Sequence, residues 1–233
     1  TLFVPSVKHL LILFASTFFR KANSLCRLHP IGCTRPMGFT LRFINFDQEC
    51  KSLKSLKEEY GSTAFIETGC FRGNSLGHAL NLDFDSFYSC DIDKEMIDYC
   101  NNKFKRDDLH IFPGISTTFL RLQLPLLDSV DSIMFYLDAH LPEHDKTSGQ
   151  VLTDNDLNFP LEEELQIIND LRPNRKDVII IDDLRIYEDG PFTGGNWTER
   201  HRFNLSLDFL NQYHFNVTKY HSQEGYILLT REC

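Results

Sequence analysis

The feature that most constrains the fold is a regular alternation of short apolar segments and amphipathic segments that begins near Asp47. Apolar runs of strand length occupy residues 63–68, 86–93, 109–114, 132–140 and 177–184. Segments with one charged face, typical of helices, occupy residues 47–61, 74–82, 94–104 and 161–171. Parallel strands need a crossover helix and are buried on both faces. The pattern therefore predicts an α/β fold with a doubly wound, mostly parallel sheet.

The carboxyl-terminal segments break this alternation. Residues 205–213 are predicted to be helical, and residues 215–221 and 225–231 have the pattern of strands joined by a short turn. Because a turn of three residues forces antiparallel pairing, we expect a hairpin at one edge of the sheet. The sequence thus predicts one Rossmann-like domain over residues 47–233.

Residues 1–46 form a predicted extension with a different character. An apolar run at residues 9–19 is followed by Arg20 and Lys21. It has about half of the roughly 20 residues that span a bilayer, so it resembles a targeting or anchoring segment, or else a helix packed on the domain. We expect a cytoplasmic protein. The alternative is membrane association through residues 1–21, or entry into the secretory pathway.

Charge and cysteine content narrow the possible partners. The formal net charge of −9 and the pI of about 5.4 argue against nucleic acid, whose phosphates are bound mainly by Lys and Arg, and favour a small molecule. The seven cysteines are odd in number and include no Cys-x-x-Cys pair. This argues against a zinc site and against a complete disulfide framework, and it favours reduced, buried thiols.

Polar and acidic residues end most of the predicted strands. In open α/β sheets the ligand lies outside the carboxyl ends of the strands, so these positions are the candidate site. Carboxylates gathered at one edge need cations, hydrogen-bond donors or water nearby. The residues concerned are Glu67, Asp91, Asp93, Ser116, Asp138, His140, Asp182 and Asp183.

A glycine turn follows the first of these strands. Gly69 and Gly73 permit close approach of the backbone to a ligand, and Asp91, at the end of the next strand, can accept hydrogen bonds from a ribose diol. The spacing departs from the Gly-x-Gly-x-x-Gly pattern that binds a diphosphate, so a nucleoside without a diphosphate is the better fit. Pairing of Glu67 with Arg72 is the competing interpretation.

The ordered set of motifs resembles the class I S-adenosylmethionine-dependent methyltransferases. It consists of Glu-Thr-Gly at residues 67–69 with Gly73 and Ser75, an acid ending the second strand, Leu-Asp-Ala-His at 137–140 and Ile-Asp-Asp at 181–183. Within that class the chain is most similar to the macrocin O-methyltransferase and cephalosporin-hydroxylase-like group. The resemblance covers roughly residues 63–230.

This resemblance implies roles for individual residues around the cofactor. Glu67, Gly69, Gly73 and Ser75 would lie against the amino acid portion of S-adenosylmethionine, and Asp91 would hold the ribose hydroxyls. Ser116 would lie near the adenine, although the family pattern favours an acid at position 115, where this chain has Ile115.

The resemblance also implies a metal-assisted reaction at a hydroxyl group. Asp138, Asp182 and Asp183 would hold Mg²⁺, an ion that prefers oxygen ligands. Asp138 and His140 are the predicted catalytic residues, with His140 as general base or, alternatively, as a residue that only orients the ligands. The expected activity is methylation of a hydroxyl of a sugar or other small molecule by in-line displacement.

Other interpretations stay open from the sequence. A binding or scaffold protein could keep the fold without turnover, and a nicotinamide-dependent oxidoreductase is disfavoured by the glycine spacing. Arg185 follows the acidic pair and would either bind an acidic substrate group or balance Asp182. The long segments 141–160 and 185–201 are predicted to frame the acceptor pocket.

Overall fold

A computed structural model describes residues 52–140, 159–193 and 206–231. They form a seven-stranded sheet with strand order β3-β2-β1-β4-β5-β7-β6. The strands are β1 (Ala64–Thr68), β2 (Ser86–Asp91), β3 (Leu109–Pro113), β4 (Ile133–Leu137), β5 (Val178–Ile181), β6 (Asn216–Tyr220) and β7 (Tyr226–Thr230). Strands β1 to β5 pair in parallel, whereas β7 runs antiparallel to both β5 and β6. The predicted fold class and the edge hairpin are confirmed.

Five α-helices lie in the described ranges, and capping residues bound two of them. They are α1 (Leu53–Tyr60), α2 (Asn74–Ala79), α3 (Lys94–Lys103), α4 (Ser116–Gln123) and α5 (Leu161–Leu171). The side chains of Ser52 and Asp93 cap α1 and α3 by accepting backbone N–H groups, and Gly61 ends α1 with a φ of 64°.

The core forms two layers, one on each face of the sheet. Along β1, Ile66 packs into the layer that includes Leu165 of α5, and Phe65 into the layer that includes Leu56 of α1 and Leu76 of α2. All five residues of β1 and of β4 are buried, as expected for central parallel strands covered by helices.

Two elements differ from the sequence-based prediction. Helix α4 was not predicted, and it supplies the crossover between β3 and β4. The predicted helix at 205–213 is a 3-10 helix at Asp208–Gln212. Leu210 in this helix and the flanking residues Leu207 and Tyr213 are three positions apart, which matches three residues per turn and places all three against the core.

The switch in strand order lies between β1 and β4. From β1 the chain winds outward through β2 and β3, then returns to β4 on the other side of β1. Helices that cross on opposite faces leave a crevice at the carboxyl ends of these two strands, which is where open α/β sheets bind ligands.

Several predictions concern residues outside the described part of the chain. These are the extension 1–46, the domain boundary at 46/47, and most of the two segments expected to frame the acceptor pocket. Across the three described ranges, none of the helices has the length and apolar character that a bilayer crossing requires.

Candidate functional site

Glu67, the penultimate residue of β1, carries a fully buried carboxyl group held by hydroxyl groups. Ser75 donates to its Oε1 and Ser89 donates to its Oε2 at 2.7 Å. Burial raises the pKa of Glu67 to about 7, against the lowering effect of these hydrogen bonds. Arg72, the competing partner, instead lies over the Phe71 ring with its Cζ 5.3 Å from the centroid. Glu67 is therefore an acceptor enclosed beneath the turn.

The glycine turn is shaped by its own packing. Gly69 has a φ of 83°, and a Cβ atom there would lie 2.6 Å from the carbonyl oxygen of Asp138. Gly73 has a φ of 64°, and a Cβ atom there would meet Phe104 and the Cys100 sulfur. Both positions thus need glycine for the conformation of the turn and for its close contact with β4 and α3. Their predicted contact with a cofactor stays a prediction.

We expect Gly69→Ala to lower the free energy of unfolding by about 2–4 kcal/mol, because it combines left-handed backbone strain with a clash against Asp138. The matched control is Gly61→Ala, which has a φ of 64° but nothing within 4 Å of the added Cβ. That change should cost only the strain, about 1 kcal/mol. Urea unfolding of both variants measures the difference, and equal losses would show that the contact with β4 is not restrictive.

Asp91 connects the end of β2 to the glycine turn. Its Oδ2 accepts the Phe71 N–H at 2.7 Å, and its Oδ1 accepts the Asp93 N–H at 2.8 Å. Burial raises the pKa of this carboxyl group, although the two backbone hydrogen bonds oppose the rise. Asp91 therefore fixes the turn that carries Gly69 and Gly73, in addition to its predicted role at a ribose.

Three exposed apolar side chains follow the first three strands. Phe71, Ile92 and Ile115 come one to three residues after β1, β2 and β3, and their exposed fractions are 47%, 50% and 38%. These apolar side chains lie near Asp91 at the carboxyl edge of the sheet, where a flat aromatic ring could pack against them. The sequence interpretation treated Ile115 only as a departure from the family pattern.

A compact polar group lies at the ends of β4 and β5. His140 Nδ1 is 3.3 Å from Asp138 Oδ1, and His140 Nε2 is 3.0 Å from Asp183 Oδ2. One ligand atom from each residue lies within 4.8 Å of the other two. Burial and the neighbouring carboxylates raise the pKa of Asp138 well above its usual range. Burial also acts on Asp183, but its contacts with His140 and Arg185 hold the pKa of that carboxyl low.

Asp182 faces a different set of partners. Its Oδ2 accepts the Tyr136 hydroxyl and its Oδ1 accepts the Asp183 N–H at 2.8 Å. Burial, together with the charge of Asp183, raises its pKa to about 6. Of the three residues predicted to hold Mg²⁺, the structure brings Asp138 and Asp183 together with His140. Asp182 is turned towards Tyr136.

Arg185 contacts Asp183 and Glu224. Its Nε donates to Asp183 Oδ1 at 3.1 Å, and its Nη2 lies 3.0 Å from Glu224 Oε1. The two partners predicted for Arg185, Asp182 or an acidic substrate group, stay predictions. Arg185 instead joins the end of β5 to the turn that precedes β7.

Ser116 begins α4 beside a residue that the sequence interpretation missed. Glu164, on α5, is fully buried near the hydroxyls of Ser116 and Thr68, and burial raises its pKa to about 7. Both Ser116 Oγ and Glu164 Oε1 are buried without a well-formed hydrogen bond. Glu164 is the third of three consecutive acids, and such a run is typical of a solvated helix face, so the pattern carries no sign of its burial.

Comparison with known proteins identifies solved structures with a similar fold. The chain is similar to a protein assigned as a caffeoyl-CoA O-methyltransferase from Staphylococcus aureus. The identity is 14%, the match covers 98% of this chain and 93% of that one, and the TM-score is 0.52. Weaker likenesses include an O-methyltransferase from Bacillus cereus in complex with S-adenosylhomocysteine. There the identity is 12%, the coverage 99% and 94%, and the TM-score 0.46.

The fold is that of the class I S-adenosylmethionine-dependent methyltransferases. No family model matches the chain, and no curated protein matches it significantly. At 14% identity the similarity to solved structures establishes the fold alone, so the activity has to be argued from the site.

Proposed function

We propose that this protein is an S-adenosylmethionine-dependent O-methyltransferase that acts, with the help of a divalent cation, on a hydroxyl of a sugar or other small molecule. The observation that carries the proposal is the arrangement at the switch point of the sheet. The buried Glu67, the glycine turn and Asp91 lie on one side of it, and Asp138, His140 and Asp183 follow the neighbouring strands β4 and β5. Methyl transfer requires a donor site and an acceptor site next to each other.

The cofactor side suits a cationic nucleoside. S-adenosylmethionine carries a sulfonium and an ammonium group, and Glu67 is an acid with a pKa of about 7 whose ionised form such a ligand would favour. Asp91 offers carboxylate oxygens for a ribose diol, and Ile92 and Ile115 offer apolar surface for the base. The net charge of −9 is consistent with a small acceptor rather than a nucleic acid.

Replacing Asp91 with Ala tests this assignment. We expect Asp91→Ala to weaken binding of S-adenosylmethionine by about 10- to 100-fold, because hydrogen bonds to a charged group contribute about 1.5–3 kcal/mol. Asp85→Ala is the matched control, since Asp85 is an exposed acid just before the opposite end of β2. Calorimetric titration of both variants measures the effect. Wild-type affinity in Asp91→Ala would show that the ribose acid is wrongly assigned.

The residues beside His140 fit a divalent cation. Two carboxylates and an imidazole offer ligand atoms within 4.8 Å of one another, and buried carboxylates need a positive partner. Asp138, His140 and Asp183 would hold the ion, which would supply positive charge that favours ionisation of a substrate hydroxyl. Because imidazole suits Fe²⁺ or Zn²⁺ and carboxylates suit Mg²⁺ or Mn²⁺, this mixed donor set broadens the metal prediction.

His140 has two possible roles, set by its neighbours. As general base it would take a proton at the ring nitrogen that carries none, while the other nitrogen keeps its hydrogen bond to a carboxylate; Nε2 lies 3.0 Å from Asp183 Oδ2. As a ligand it would use one nitrogen for the ion and keep the other against a carboxylate, which fixes the orientation of the ring. Asp138 Oδ1, 3.3 Å from Nδ1, orients the ring in the first role and shares the ion with it in the second.

Manganese binding tests the metal half of the proposal without a methyl acceptor. Loss of a residue that only orients a metal ligand weakens metal binding by roughly 10- to 100-fold. Because Asp183 would contact the ion itself, we expect Asp183→Asn to weaken Mn²⁺ binding by more than this. Asp182→Asn should have a smaller effect, because Asp182 faces Tyr136. Electron paramagnetic resonance of free Mn²⁺ measures both. A greater loss in Asp182→Asn would favour the metal set predicted from the sequence, and unchanged binding in Asp183→Asn would contradict the site.

A further inference from the structure

Two buried cysteines converge on one backbone oxygen beside the glycine turn. Cys70 lies in the turn itself and Cys100 on α3, and both side chains are almost completely enclosed. Cys100 Sγ donates to the carbonyl oxygen of Phe71 at 3.3 Å, and Cys70 Sγ donates to the same oxygen at 3.9 Å. The two thiols are therefore close neighbours, although α3 and the turn are distant in the sequence.

The two thiols have different chemical character. A hydrogen bond with Cys70 lowers the pKa of Cys100, against the effect of burial, and the charge of Lys103 acts in the same direction as that bond. The pKa of Cys70 is raised by the same hydrogen bond and by burial. Cys100, the thiol favoured by the charge of Lys103, is the candidate nucleophile, because a thiolate is the nucleophilic form. Cys90, the third cysteine in the described ranges, has a pKa raised by its burial within β2.

The turn that carries Cys70 is coupled to the candidate cofactor site. Phe71 has a φ of 39°, which is unusual for a residue other than glycine, and its N–H donates to Asp91. Lys103 Nζ donates to the carbonyl oxygen of Arg72 at 2.9 Å, which ties the next residue of the turn to α3. A displacement of Cys70 towards α3 would therefore move the backbone that Asp91 holds.

We propose that Cys70 and Cys100 are a redox modification site, at which a peroxide forms a reversible disulfide that displaces the glycine turn and weakens cofactor binding. The Cys100 thiolate attacks one oxygen of the peroxide and the O–O bond breaks, which gives a sulfenic acid and, after protonation, water. The Cys70 thiol then attacks that sulfur and gives its proton to the departing hydroxide, so the S–O bond breaks and a second water leaves. Two thiols lose two electrons and two protons, and hydrogen peroxide is reduced to two waters.

The geometry predicts the consequence for the turn. A disulfide removes both S–H groups, so the carbonyl oxygen of Phe71 loses both thiol donors within the turn that Asp91 holds. Because both thiols are buried, the reaction requires transient opening of the turn and should be slower than oxidation of an exposed cysteine. The effect on cofactor affinity rests on the proposed function, whereas formation of the disulfide does not.

The first test is chemical and uses the full chain without cofactor. The reduced protein is treated with hydrogen peroxide, remaining thiols are alkylated, and proteolytic peptides are identified by mass spectrometry. We expect a peptide pair linked through Cys70 and Cys100 that disappears on reduction with dithiothreitol. The linked peptide pair should be absent from Cys70→Ser and from Cys100→Ser. It should be present in Cys90→Ser, which is the control for a buried cysteine. Oxidation confined to other cysteines would overturn the site.

The second test joins the disulfide to the cofactor. Oxidised wild-type protein should bind S-adenosylmethionine at least about tenfold more weakly than the reduced protein, and dithiothreitol should restore the affinity. Cys100→Ser should show the same affinity before and after peroxide. A linked peptide with unchanged affinity would overturn the coupling. Failure of the reduced protein to bind the cofactor would count against the proposed function, and the linked peptide would still establish the modification site.

Discussion

Replacement of Arg172 by Met is expected to lower the free energy of unfolding by about 3–5 kcal/mol, because it leaves a buried carboxylate without its partner. Arg172 is 1% exposed, and it donates from Nε to Asp177 Oδ2 at 2.7 Å and from Nη2 to Asp177 Oδ1 at 2.8 Å. It also donates to the carbonyl oxygens of Leu127 and Val130. These contacts join the segments that lead into β4 and β5 at the edge opposite the site.

Arg175→Met is the matched control for this prediction. Arg175 also pairs with carboxylates, but the side chains of its partners Asp128 and Asp131 are 79% and 99% exposed. Exposed pairs contribute little, so this change should cost less than about 1 kcal/mol. Urea unfolding at neutral pH measures both variants. Equal losses for Arg172→Met and Arg175→Met would contradict the importance of burial for the Arg172 pair.

Replacement of Glu67 by Gln is expected to flatten the dependence of stability on pH. The pKa of Glu67 is about 7 in the folded chain, against an ordinary value of 4.5. Between these values the folded state keeps a proton that the unfolded state has released, so stability falls as pH rises through this window. The loss amounts to about 3 kcal/mol above pH 7, and the Glu67→Gln variant would not incur it because an amide does not titrate.

The measurement is urea unfolding of the wild type and Glu67→Gln at pH 5 and pH 8. The variant keeps an acceptor oxygen for the Ser75 or Ser89 hydroxyl, so its stability at pH 5 should be close to that of the wild type. Some pH dependence will persist because Glu164 has a pKa raised in the same direction. An unchanged difference between the two pH values would show that Glu67 is not the group that retains the proton.

Most of the fold could be predicted because the local and global patterns agree. Strands β1, β2, β4 and β5 are short apolar runs with acids at or just after their ends, a pattern typical of buried parallel strands that end at a polar site. Helix α4 escaped prediction for a local reason. It begins after Ile115 without a side-chain cap and contains Thr117 and Thr118, which have low helix propensity. Its amphipathic face is recognised only once the sheet that covers it is known.

The candidate site could be predicted only as a set of residues at one edge. Topology brings the ends of parallel strands together, but the orientation of adjacent side chains depends on the local backbone. Asp183 has a φ of 52° and is directed to His140 and Arg185, whereas Asp182 is directed to Tyr136. Such a left-handed residue other than glycine is not visible in the sequence. The sequence therefore predicted both acids at this edge, but it could not predict that they face different partners.

Contacts between residues that are distant in the sequence could not be predicted either. Ser89 donates to Glu67 from the next strand, and Cys100 reaches the turn from α3. Each depends on the register between elements that are distant in sequence. The register between β1 and β2 places Glu67 opposite Ser89, and no periodicity of either segment alone specifies it.

Hydrogen–deuterium exchange with and without S-adenosylmethionine tests the central claim most directly, because it detects binding and locates it. We expect slower exchange in peptides that cover residues 67–75, 91–93 and 114–117, and unchanged exchange in the β6–β7 hairpin. These three segments lie at the carboxyl ends of the adjacent strands β1, β2 and β3. Protection confined to other segments, or no change at a saturating concentration of S-adenosylmethionine, would contradict the proposed methyltransferase and favour a scaffold that keeps only the fold.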